Sequence, residues 1–226
     1  MASTRLHFLE ELTALQDQLL EMGSEANAML NEAVRALVEQ DEERANQVIA
    51  RDEIVDEQDL QIEAECMRLI ALQQPLARDL RLVGTAFKVI TDLERIGDHA
   101  VDIAKVARKL ARETFYQPLV DIPHMANLVS RMLKEVMAAF VSHDLDAVDA
   151  VVAADDQVDL LFHKLRDDLH AVMRRDPTLV VQASYLLFVA HYLERIADHT
   201  VNIAERIYYV ETGSLSQLSH SHQASS

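Results

Sequence analysis

The chain has 226 residues, half of them hydrophobic, which is enough to bury a sizeable core and excludes a disordered polymer. Four glycines and four prolines are too few for the turns of a β-sandwich or barrel, and neither dinucleotide-binding nor P-loop glycine spacing occurs. A net charge of −17 argues against wrapping nucleic acid and against adsorption to an anionic membrane surface.

Residues 5–39 place Leu6, Leu9, Leu12, Leu15, Leu19, Met22, Ala26, Met29, Leu30, Ala33 and Leu37 at steps of three and four, the pattern of one long amphipathic helix. Asp41 is the expected N-cap of a second helix running to about Gln73, and Pro75 the expected opening of a third, from Leu76 to about Glu113. Pro118 and Pro123 mark a linker. A fourth helix is expected to about Ser142, a fifth from Asp144 to about Arg175, and a sixth after Pro177 to about Glu211, with Gly213 as the stop signal. The tail, 214–226, is rich in Ser, His and Gln and reads as disordered, with no native site assigned to His220 or His222. Such long helices cannot bury their apolar stripes alone, so the expected fold is all-α, six long helices packed as bundles.

The two halves repeat. Leu-Glu-Arg-Ile-Gly-Asp-His-Ala-Val-Asp-Ile-Ala at 93–104 matches Leu-Glu-Arg-Ile-Ala-Asp-His-Thr-Val-Asn-Ile-Ala at 193–204, nine of twelve positions being identical at an offset of 100. Residues 50–56 correspond to 153–159, and Pro75 to Pro177, in the same order. A duplicated three-helix unit follows, giving two tandem bundles related by a pseudo-twofold axis. The expected boundaries are 1–115 and 116–213, with 214–226 as tail.

The repeats carry the candidate chemistry. Glu94 and Asp98 stand four apart on one helix face, as do Glu194 and Asp198; Asp102 extends the first stripe and Asn202 the second. Asp52 with Asp56, and Asp155 with Asp159, repeat the step on the preceding helix. If those helices are antiparallel neighbours, each half brings two acidic pairs together as an oxygen-rich site suited to hard cations or iron. An acidic pair is also ordinary on a solvated face, and Arg95, three residues before Asp98, offers a surface ion pair instead. The duplication of Glu, Arg and Asp favours the metal reading. His99 and His199 point about 100° away from the adjacent aspartates, which favours packing or interhelical hydrogen bonds. His191 and Glu194 form H-x-x-E, the reverse of the ferritin-like E-x-x-H. Gly97 and Ala197 are read as small residues permitting close helix approach, and Cys66 as a core residue. No serine elbow or H-E-x-x-H is present.

The duplicated Glu-Arg-Ile-Gly/Ala-Asp-x-x-Val-Asp/Asn-Ile-Ala resembles the motif of the PhoU family of phosphate-uptake regulators. So do Leu12, Leu15, Leu19 and Met22, and the Gln-Pro-Leu-Ala-Arg-Asp-Leu-Arg run at 74–81. The resemblance covers about residues 5–213; Ala197 stands where the family usually has Gly. It implies a cytoplasmic, non-enzymatic negative regulator of phosphate acquisition with a duplicated three-helix fold, often dimeric. Its implied partners are the ATPase subunit of the Pst phosphate ABC transporter and a PhoR-type sensor kinase. It also implies metal ions (iron, zinc or another divalent cation) on Asp52, Asp56, Glu94 and Asp98 and on Asp155, Asp159, Glu194 and Asp198, with Asp102 and Asn202 as neighbours. A metal-dependent carboxylate-cluster enzyme and a metal-storage bundle are the alternatives. The opening Met-Ala-Ser-Thr-Arg leads into charged amphipathic sequence and the longest apolar stretch is 185–190, so neither a signal peptide nor membrane insertion is expected.

Overall fold

The structure, a computed structural model, describes residues 2–214 and 218. The expected disordered tail, with His220 and His222, lies outside the described residues apart from 214 and 218. Among the described residues every regular element is helical: α1 (Ala2–Glu39), α2 (Glu42–Ala50), α3 (Asp52–Gln73), α4 (Ala77–Leu110), α5 (Asp121–Ser142), α6 (Leu145–Arg175), a 3₁₀ turn (Pro177–Leu179) and α7 (Val180–Thr212). None of them is long and apolar enough to cross a membrane.

The second expected helix is broken in two at Arg51. Its backbone stays near helical values (φ −80°, ψ −9°), so the chain bends there instead of turning away. The Arg51 guanidinium donates to Glu25 Oε1 at 2.6 Å and ties the bend to α1. Pro75 lies outside α4 instead of opening it: Leu76 is the extended N-cap and Ala77 the first helical residue. Asp41 and Asp144 cap α2 and α6 as expected, accepting from the backbone N–H groups of Arg44 and of Asp146 and Ala147.

A glycine-poor chain still needs left-handed residues to end its helices. Gly213 supplies one after α7 at φ 75°, its N–H donating to Tyr209 O. Gln40, Gln74 and His143 supply the others at φ 56°, 47° and 59°, a conformation that costs a non-glycine residue about 1–2 kcal/mol. Tertiary contacts hold two of them. The Gln40 amide donates to Leu110 O at 3.0 Å, and His143 Nδ1 lies 3.1 Å from Glu211 Oε1.

Helix α1 packs on α2, α3 and α4, and α5 packs on α6 and α7, one group from each half. The groups join where α4 packs on α7 and α1 on α5. Asp92 meets His199 and Asn202 while His99 meets Tyr192, so α4 and α7 cross antiparallel. The connection after α4 is fastened to α7 by Gln182, which accepts from Tyr116 N–H and donates to Thr114 O. Leu12, Leu15, Leu19, Met22, Ala26, Met29, Leu30, Ala33 and Leu37 are buried as their spacing requires, whereas Leu6 and Leu9 are exposed and Phe8 is buried in their place. The buried side chains of both halves form one contiguous hydrophobic cluster. Cys66 belongs to it; burial pushes its thiol up to about 12, which leaves it inert as a nucleophile.

Candidate functional site

Asp52 and Asp56 occupy the first two turns of α3, and Glu94, Asp98 and Asp102 occupy successive turns of the adjacent α4. The five form one electrostatic group. Partial burial raises Asp52, and Asp56, Asp98 and Asp102 raise it further. Glu94 is raised by burial and then by Asp98, Asp56 and Asp59. Cations answer part of this charge: Arg95 Nη1 donates to Asp98 Oδ2 at 2.8 Å, and Lys105 Nζ to Asp102 Oδ1 at 3.0 Å.

The second half builds the same arrangement from α6 and α7, more deeply. Asp155 is only 5 % exposed. Its carboxyl is pushed up to about 7, first by burial and then by Asp159, Asp198, Asp156 and Glu194. Glu194 also rises to about 7, through burial and Asp198. Arg195 Nη1 donates to Asp198 Oδ2 at 2.8 Å, repeating the first-half ion pair. Glu194 Oε2 is buried and has no hydrogen-bond partner among the described residues; His191 Nδ1 lies 3.2 Å away. Asn202 turns elsewhere. Its amide donates to Asp92 Oδ1 on α4 at 3.2 Å, beside His199 Nδ1, 2.9 Å from the same oxygen. His99 stacks on Tyr192, and burial lowers its pKa to about 4, so it is a neutral packing group. Both histidines thus serve the α4–α7 contact.

Two neighbours were not legible from the repeat. Asp59 adds charge near Glu94, and His163, whose Nδ1 bonds its own helix at Asp159 O (2.7 Å), lies near Glu194. Their spacing, three beyond Asp56 and four beyond Asp159, was the available signal.

Gly97 sets how closely α3 approaches the first group: a Cβ built there meets Val55 Cγ1 at 3.3 Å. Gly97→Ala is expected to change stability by less than about 1 kcal/mol, since the helix-propensity gain offsets the crowding of Val55. Gly97→Leu drives a branched side chain into α3 and is expected to cost about 1–3 kcal/mol. Thermal unfolding of the pair checks this; equal stability of Gly97→Leu and the native chain would refute the close approach.

These donors suit a hard or borderline cation in chemistry. Each group is all oxygen, and the second holds a buried carboxylate whose neighbours are like-charged together with a carboxylate oxygen lacking a donor. Among the described residues no three His, Cys, Asp or Glu side chains already converge as a ligand set, so capture of an ion requires them to rotate inward.

The chain matches the family model described as the PhoU domain twice, over residues 19–107 and 122–207. It is 42% identical over 211 residues to the "Phosphate-specific transport system accessory protein PhoU homolog" of Clostridium acetobutylicum, covering 93% of this chain and 96% of that protein. The crystal structure of PhoU from Pseudomonas aeruginosa superimposes with a TM-score of 0.88 at 34% identity, covering 92% of this chain and all of that one. The phosphate transport system regulatory protein PhoU from Streptococcus pneumoniae superimposes at 0.85 with 31% identity, covering 92% and 99%. Both halves and the helix order fall under one assignment: the chain belongs to the PhoU family, whose relatives are accessory proteins of phosphate transport.

Proposed function

We propose that this chain is a cytoplasmic negative regulator of bacterial phosphate uptake and phosphate-starvation signalling. It acts as a homodimeric adaptor between the ATPase subunit of a Pst-type phosphate ABC transporter and a PhoR-type sensor kinase. The observation that carries this reading is the match of both repeats, across nearly the whole chain, to accessory proteins of the phosphate-specific transport system. An acidic, all-helical body with a single core is suited to present rigid faces to two partners. For transporter state to bias kinase output, the adaptor must bind two states of a partner with different affinity; equal affinity shifts nothing.

Metal ions on the acidic groups are part of the same proposal. Asp52, Asp56, Glu94, Asp98 and Asp102 would hold one site and Asp155, Asp159, Glu194 and Asp198 the other, with Asn202 engaged at the α4–α7 contact. When bound, iron, zinc or another divalent cation would neutralise the clustered carboxylates and stiffen the α3–α4 and α6–α7 pairs.

Binding of the purified chain to the ATPase subunit and to the kinase's cytoplasmic region, from the same genome, tests the adaptor. The expected result is saturable binding to both; binding to neither would overturn it. Metal content of Asp98→Ala with Asp198→Ala tests the sites: it is expected to fall, and unchanged content would remove the ligand assignment.

A further inference from the structure

A groove of about 450 Å³ runs between the C-terminal half of α4 and the N-terminal half of α7. Its α7 wall is aromatic: Tyr185, Phe188 and Tyr192 share one helix face, and Phe188 is half exposed. Its α4 wall is cationic: Lys105, Arg108 and Lys109, with Asp102 at one end. Lys105 is paired with Asp102, but Arg108 donates only to the neutral Asn46 Oδ1 at 3.1 Å, and Lys109 has no acidic partner among the described residues. In a protein with a net charge of −17, this groove is lined by an excess of positive charge.

The sequence repeat supplies an internal control: at an offset of 100, Tyr192 corresponds to Asp92, Phe188 to Lys88, Asp102 to Asn202, Lys105 to Glu205, and Arg108 and Lys109 to Tyr208 and Tyr209. The counterpart positions thus bring in two carboxylates, and Glu205 accepts a hydrogen bond from the backbone of Leu218 at 2.7 Å. The counterpart face carries two carboxylates, one lysine and two tyrosines, with Glu205 engaged by Leu218. The other is aromatic, basic and open. What separates the two faces is charge: only the groove has an excess of cations, so a polyanion fits that copy alone.

The geometry points to this groove as a binding site for a nucleoside polyphosphate. Aromatic side chains offer π-faces on which a base stacks, and cations on the facing wall take the phosphates. The volume lies within the range of small-ligand pockets. Inorganic phosphate alone would leave the aromatic wall unused.

Calorimetric titration of the full chain with ATP tests the site, with adenosine and tripolyphosphate as separate probes. ATP is expected to bind at least tenfold more tightly than either probe. Phe188→Ala, and Arg108→Glu with Lys109→Glu, are each expected to weaken ATP binding by tenfold or more with unchanged circular dichroism. Tripolyphosphate binding as tightly as ATP would make this an anion patch and overturn the proposal, as would ATP binding unaffected by both variants. No ATP binding at millimolar concentration would likewise overturn it, and loss of ATPase-subunit binding in Phe188→Ala would then make the groove a protein-docking face. This inference stands independently of the adaptor reading, because ATP binding is measured on the isolated chain.

Discussion

Phe140→Ala is expected to lower the unfolding free energy by about 3–5 kcal/mol and the melting temperature by roughly 10 °C. Phe140 lies on α5, which packs on α1 of the first half and on α6 and α7 of its own, and it is among the largest fully buried side chains. Its removal takes away apolar contact and leaves a cavity that rigid helices on several sides cannot close. The same truncation at half-exposed Phe188 is expected to change stability by under about 1 kcal/mol. Because the two halves share one hydrophobic cluster, both proteins are expected to unfold in a single cooperative transition. Two separated transitions, or a small effect at Phe140, would contradict a common core.

Asp155→Asn is the second large effect, with the opposite sign. Among the described residues none donates to or pairs with the Asp155 carboxylate, and its folded-state value of about 7 stands above the ordinary 3.8. The folded protein therefore keeps a proton that the unfolded chain releases between about pH 4 and pH 7. Stability falls as pH rises through that window, and the full penalty is present above about pH 7. An amide of the same shape removes the charge. In chelator at pH 8 the variant is expected to be more stable than the native chain by on the order of 3 kcal/mol, with little difference at pH 4. Millimolar divalent cation at pH 8 is expected to stabilise the native chain and to close the gap. Urea unfolding across the pH range checks both. A variant no more stable than the native chain at pH 8 in chelator would show that Asp155 is already compensated.

The helical architecture was legible because α-helices write their ends and faces into the chain. Asp41 and Asp144 cap, Gly213 stops, and the 3.6-residue stripe marks the buried face of α1. The repeat revealed the acidic pairs, because identical spacing on consecutive helices becomes one cluster once those helices pack together. The bend at Arg51 was hidden, since no glycine or proline stands there and a salt bridge to Glu25, distant in sequence, holds it. The left-handed Gln40, Gln74 and His143 were hidden for a similar reason: contacts from α4 and α7 stabilise two of them against their own preference. The direction of Asn202 depends on α4 crossing α7, a contact between halves. A repeat specifies packing within each unit and is silent on how the units meet. The aromatic–basic groove lies on that same contact and was illegible on the same grounds.

The measurement closest to the central claim is alkaline phosphatase output in the source bacterium grown in ample phosphate, with the gene intact, deleted, and restored on a plasmid. The account predicts low output in the intact and restored strains and high output in the deletion. Output equally low in the deletion would contradict the assignment of this chain as the negative regulator of phosphate-starvation signalling.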